Sequence, residues 1–140
     1  MALKVERIET CVASLSGETG SLTCKLVALA RARANLEFVL ARSTPEHPGQ
    51  AVVFVAPVKG RTASRAACRA GFAKTTSFHT VRFEGADKPG QGARITKALG
   101  DQGLNLRWLS ATRMGKKFVA YIGLGSSAEA AQAVRILRAL

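Results

Sequence analysis

The chain has 140 residues, a length that holds one ordinary domain or two small ones and excludes a multi-domain enzyme. Its 21 Lys and Arg against 9 Asp and Glu give a formal charge of +12, and 47% of its residues are hydrophobic, the content of a chain that buries a core rather than a disordered one. A compact chain of this size hides roughly two-thirds of its extended surface, so it needs no covalent or metal staple to fold.

Cys11, Cys24 and Cys68 are odd in number, lack C-x-x-C spacing and stand away from His47 and His79. That excludes a disulfide framework or zinc site, and the three are expected as small buried apolar residues in a reducing compartment. No cofactor is expected. Charges interrupt the first residues, Met1 to Arg7, and the longest apolar run, Ala51 to Val58, has 8 residues against the roughly 20 of a membrane span. A soluble, cytoplasmic protein with no membrane partner follows as the expectation.

In chain order, the first extended segment is Val5 to Ala13, followed by the turn Gly17-Glu18-Thr19-Gly20 and a helical stripe at Leu22, Leu26, Leu29 and Ala30. Two strands come next, Leu36 to Arg42 and Ala51 to Val58, joined through a Pro-rich turn, and then a helix over Arg61 to Ala70. The same order recurs: a strand at Phe78 to Glu84, the turn Asp87-Lys88-Pro89-Gly90, and a helical stripe at Ile95, Ala98 and Leu99. The hairpin Leu104 to Thr112 with Lys117 to Leu124 and a helix over Ser126 to Ala139 close the chain.

A shift of 70 residues superposes these halves, placing Gly20 on Gly90 and Asn35 on Asn105. The sequence therefore predicts an α+β protein of two ferredoxin-like (βαββα) sandwiches in tandem, spanning residues 1–73 and 74–140, with antiparallel sheets and helices packed on one face. Gly103 is expected to end the second copy's first helix in the left-handed conformation, and the first copy, with Ala34 read at that place, to be capped differently. A fourth strand is missing from each copy. Two open sheet edges follow, to be joined to each other or covered by a second chain.

The strand, the Gly85-Ala86-Asp87-Lys88-Pro89-Gly90 turn, the helix, Gly103-Leu104-Asn105-Leu106, the hairpin and the last helix resemble the ACT domain, a family of small amino-acid-binding regulatory modules. The resemblance spans nearly all of the second copy and is looser in the first, where Glu18 and Thr19 replace Lys and Pro. It implies a stand-alone tandem ACT protein that binds a small amino acid where the first turn meets the start of the second strand, often at an interface between two modules. Carried over position by position, it selects Asp87, Lys88, Pro89, Gly90, Asn105 and Leu106, and in the first copy Glu18, Gly20, Asn35 and Leu36. It also implies a homodimer or higher homo-oligomer, with room for a protein partner.

Elementary chemistry agrees with that location, because a Gly turn opening a helix offers free backbone N–H groups and a positive dipole end to a carboxylate. Asp87 suits an α-ammonium group, and Asn105 offers both a donor and an acceptor. The same residues also suit a strand-to-helix turn for conformational reasons alone, with Asp87 capping the helix.

The alternative is an RNA-binding module, since the RNA-recognition motif shares the strand and helix order. Laid over Met114 to Tyr121, its strand signature keeps Gly115, Phe118, Val119 and Tyr121 but meets Met114, Lys116 and Lys117 at other fixed places. Phe118 and Tyr121, an odd number apart, also fall on opposite faces of a strand. The basic residues are spread over both halves, with Arg61, Arg65 and Arg69 on one helical face and Arg113, Lys116 and Lys117 at the second hairpin. A solvated face is the default for such positions, and nucleic acid is the lesser partner. No nucleophile-base or paired-carboxylate arrangement is visible, so no enzymatic activity is expected. His79 reads as a polar edge residue and Trp108 as a packing anchor.

Overall fold

The computed structural model describes residues 3–140. Its elements are β1 (Lys4–Ile8), β2 (Cys11–Leu15), α1 (Ser21–Arg31), β3 (Phe38–Ser43), β4 (Ala51–Ala56) and α2 (Arg61–Arg69), then β5 (Ala73–Lys74), β6 (His79–Ala86), α3 (Gln91–Asp101), β7 (Leu106–Met114), β8 (Lys117–Leu124) and α4 (Ser127–Arg138). They form two four-stranded antiparallel sheets, ordered β1-β6-β8-β7 and β3-β4-β2-β5. The expected α+β fold with two ferredoxin-like sheets is the one observed.

The missing strands are supplied from within the chain, which corrects the expectation of open edges left by three-stranded sheets. The segment expected as one strand, Val5 to Ala13, is two. β2 opens the first unit, whereas β1 pairs with β6, Val5 opposite Phe83, as the fourth strand of the second unit. The short β5 pairs with β2 and completes the first sheet. The compact units are therefore Glu9–Thr75, and the segment through Ile8 together with Thr76–Leu140, instead of a single division at residue 73. One unit is inserted into the other after its first strand.

Period-2 alternation sets which strand residues meet the helices. In the second unit Val81, Phe83, Ala120 and Ile122 pack with Ile95 and Leu99 of α3 and Ala130, Val134 and Leu137 of α4. Phe118 lies on that helix-covered face, its ring edge-on to Phe83 at 6.2 Å, while Tyr121 is buried on the opposite face beside Arg82. In the first unit Leu29, Val53 and Val55, all fully buried, form the core with Ala13, Ala67 and Phe72. Trp108 packs edge-on against Phe78 with centroids 5.2 Å apart, and lies on Gly123, where a Cβ would stand 2.1 Å from its Nε1. Cys11 is buried as expected, and burial pushes its thiol up, with Glu9 adding to the shift against Lys74. Cys24 and Cys68 are exposed, contrary to expectation, because α1 and α2 turn those positions outward.

The two copies end their first helices identically, which corrects the expectation of a different cap in the first. In the second, Gly103 has φ +79°, its N–H bonds Gly100 O at 2.9 Å and the Leu104 N–H bonds Leu99 O at 3.0 Å. In the first, Arg33 takes that place with φ 60°, its N–H on Ala30 O at 2.9 Å and the Ala34 N–H on Leu29 O at 3.0 Å. Both are Schellman motifs, and the residue equivalent to Gly103 is Arg33, not Ala34. A side chain in the left-handed region costs about 1 kcal/mol, and a Cβ at Gly103 meets nothing within 4 Å, so strain alone decides the outcome. Gly103→Ala is expected to lower stability by about 1 kcal/mol and Arg33→Gly to raise it, both measured by chemical denaturation.

Candidate ligand site at the helix-opening turns

Gly20 and Gly90 are the N-caps of α1 and α3, both left-handed, at φ 90° and φ 83°. Their local hydrogen bonds are the same. Gly20 O accepts from Cys24 N at 3.0 Å and Gly90 O from Arg94 N at 2.9 Å, while Glu18 O and Lys88 O each accept from the first helical N–H at 3.3 Å. Neither cap has a side chain to satisfy the remaining first-turn donors, at Leu22 and Thr23 in α1 and at Gly92 and Ala93 in α3. By contrast α4 caps itself: Ser126 Oγ accepts from Glu129 N at 3.1 Å, and the Glu129 carboxylate lies 3.2 Å from that hydroxyl.

The first side chain of each helix braces the turn from within. Ser21 Oγ accepts from Ser16 N at 3.2 Å, and Gln91 Nε2 donates to Ala86 O at 2.8 Å. These partners are equivalent under the 70-residue shift. Gln91 is buried, and its Oε1 has no hydrogen-bond partner among the described residues.

The turns differ where each approaches its hairpin. At Gly17 a Cβ would stand 2.3 Å from Gly49 O, so the first turn requires glycine. The equivalent Asp87 instead joins its backbone N–H to Lys116 O at 3.0 Å and sets its carboxylate 3.6 Å from Arg113. Asp87 does not cap α3, which has no side-chain cap. Lys88, Pro89 and Gly90 are all exposed.

In the first unit the turn opens on a cleft of about 490 Å³ lined by Glu18, Gly20, Ser21, Cys24, Lys25 and Ala70 among others. Lys25 donates its ammonium to Ala70 O, at the C-terminal end of α2, where a cation is favoured. The cleft thus joins an α1 N-terminus, an ammonium group, several hydroxyls and the Glu18 carboxylate at one place. These groups suit a zwitterion: donors for a carboxylate, and an anion for an ammonium group.

Asn35 and Leu36 are not brought to this turn. Asn35 lines a separate cleft of about 310 Å³ with Arg33, Glu37, Pro57 and Lys59, beyond the other end of α1, whose 11 residues span about 16 Å. Asn105 and Leu106 are likewise beyond the far end of the 11-residue α3 from Gly90. Within one unit, the turn residues and the strand residues selected by the family resemblance are too far apart for one small amino acid to touch both. Lys25 escaped the sequence reading. Its helical position beside an apolar stripe was visible, but the closeness of α2's last carbonyl was not.

A second polar cluster lies on the face of the second unit's sheet opposite α3 and α4. Arg82 Nε donates to Tyr121 Oη at 3.2 Å, and Glu84 Oε1 lies 3.4 Å from Arg82 and 3.5 Å from Lys117. Burial pushes the Glu84 carboxyl up, but the Arg82 hydrogen bond and the Lys117 and Arg82 charges outweigh it and hold it below its ordinary value of 4.5. Burial works against Arg82's charge, and Tyr121 and Glu84 more than offset it. This cluster ties β6 to β8 through side chains as well as backbone. Among the described residues no His, Cys, Asp and Glu group suited to a metal exists, and no helix is long and apolar enough to cross a membrane.

With fold and turns defined, the protein is a pair of ferredoxin-like α+β units, a fold it shares with several solved structures. Protein BT0572 from Bacteroides thetaiotaomicron is similar over 97% of this chain and 99% of its own, with a TM-score of 0.77 at 15% identity. The regulatory subunits of aspartate kinase from Thermus thermophilus and Thermus flavus are similar over 99% of this chain and 94% of theirs, with TM-scores of 0.63 and 0.59 at 15% and 14% identity. No protein-family model and no curated protein matches the sequence.

Two outcomes follow from this geometry. Gly17→Ala, which meets a backbone carbonyl, is expected to lower the melting temperature more than Gly20→Ala, whose Cβ meets nothing within 4 Å and which suffers strain alone; costs of about 1–3 and about 1 kcal/mol correspond. Glu84→Gln is expected to destabilise by roughly 1–3 kcal/mol at neutral pH. Because the folded-state pKa is depressed, Glu84's contribution is complete above the ordinary carboxylate value and is lost as pH falls through the folded one. The gap between wild type and variant in urea titrations should therefore close on acidification below 4.5.

Proposed function

We propose that this chain is a non-catalytic regulatory module that binds a small amino acid at its helix-opening turns and signals by changed domain pairing or oligomerisation. The observation that carries the reading is the pair of left-handed glycine caps with identical hydrogen bonds, Gly20 and Gly90, the first opening on a cleft that holds the Lys25 ammonium. The ligand's carboxylate meets the first-turn N–H groups of the helix, and its ammonium group meets Glu18 in the first copy and Asp87 in the second. Gln91 Oε1, an acceptor without a donor, lies beside the second turn. The fold shared with aspartate kinase regulatory subunits supports a regulatory role.

Asn35, Leu36, Asn105 and Leu106 enter through assembly. Each pair lies beyond the helix end opposite its own turn, so on this reading a second copy brings its strand residues to the turn. Ligand and assembly are then linked, since a ligand shifts an equilibrium only through its differential affinity for the two forms. The chemistry of the RNA alternative finds little support: Phe118 is packed under the helices and Tyr121 is buried against Arg82.

A melt panel of the twenty amino acids tests the proposal. At a hundred times Kd the matching ligand should stabilise by about 2.7 kcal/mol and change the sedimentation coefficient, with both effects reduced in Lys25→Met. No response to any amino acid would remove the reading.

A further inference from the structure

We propose that the outer face of the α1–α2 layer is a docking surface for an acidic amphipathic helix of a partner protein, a role beyond the amino-acid reading. These two helices carry Lys25, Arg31, Arg61, Arg65 and Arg69 and contain no Asp or Glu. Among the described residues, none of the five makes an ion pair with a carboxylate. The other unit is unlike this: α3 holds Asp101 paired with Lys97, and α4 holds Glu129. The one-signed layer is therefore a property of the first unit, not a consequence of the chain's overall charge.

The cations have a defined placement. Ala63 and Ala67 turn α2 inward, which at 100° per residue sets Arg61, Arg65 and Arg69 on the opposite, solvent side. All three are exposed. Between α1 and α2 runs a groove of about 430 Å³ with a floor of Ala28, Ala32, Ala66 and Ala70 and with Arg31 and Arg69 at its sides.

The occupant follows from shape and charge together. An alanine floor leaves room for the apolar ridge of a docked helix, and arginines four residues apart, about 6 Å along the axis, match carboxylates at i and i+4 on a facing helix. A second copy of this face is excluded, because a two-fold contact would set Arg31, Arg61, Arg65 and Arg69 against the same cations of the other copy. A nucleic acid would meet the charges but has no apolar ridge to fill the alanine groove.

The test uses a fluorescein-labelled helical peptide with Glu at i and i+4 flanking a Leu ridge, titrated by fluorescence anisotropy against the full chain. Expected are binding that weakens with salt and a loss of about tenfold or more in two variants. One combines Arg65→Glu with Arg69→Glu, both at solvent-exposed positions, and the other is Ala66→Leu, which fills the groove. Equal binding of a proline-interrupted peptide of the same composition would overturn the proposal, as would unchanged affinity in the charge-reversed variant. Displacement of the helical peptide by single-stranded RNA at lower concentration than unlabelled peptide would overturn it in favour of nucleic acid.

Discussion

The pairing of β1 with β6 is the constraint on which the second unit depends. It supplies the fourth strand from a segment more than seventy residues away in sequence, placing Val5 opposite Phe83 and over the core. Two contacts with α4 and one with β6 hold the strand in place. Arg138 Nε donates to Val5 O at 3.0 Å, and Arg7, from β1 itself, reaches Ser127 Oγ at 3.0 Å and His79 Nδ1 at 3.3 Å. Loop-closure entropy opposes so distant a contact, so the strand must be fixed by burial of Val5 and by these polar ties. The first unit is consequently an insertion that leaves and re-enters its host.

Across the 70-residue repeat the two units match in backbone geometry more closely than in side chains. The Schellman cap is the same with Gly103 and with Arg33, and the opening turn is the same with Pro89 and with Thr19. What diverged is how each turn meets its hairpin: by a backbone approach that tolerates only Gly17 in the first unit, and by the Asp87 carboxylate and Arg113 in the second. Glycine stands in both units at the left-handed opening caps, Gly20 and Gly90, whereas the left-handed helix end is Gly103 in one unit and Arg33 in the other. Side chains changed where a neighbour could absorb the difference.

This division explains what the sequence made legible. Helical stripes, the hairpins and the 70-residue repeat are local periodic signals, and the four helices and both hairpins agree with them to within about two residues at most ends. The break between Ile8 and Cys11 was not legible, because Glu9 and Thr10 carry no Gly or Pro punctuation and alternation does not identify which distant strand a segment joins. Arg33 in a left-handed conformation was hidden for a related reason: only the tertiary fit of Leu29 and Ala34 overrides its local cost. For the candidate site, residue types at the turns were readable, while the separation of turn from Asn by a whole helix required only counting along α1. The place of Lys25 required coordinates.

The clefts at the α1 turn and along the α1–α2 seam share Ala28 and Ala70. Lys25 sits at their junction, bonded to the Ala70 carbonyl. An amino acid whose carboxylate draws on the Lys25 ammonium competes with that bond and so acts on the last turn of α2, which also carries Arg69. Coupling free energy is reciprocal. A partner helix seated along the seam would therefore change the affinity of the turn for its ligand by the same factor as the ligand changes the affinity of the seam for the partner.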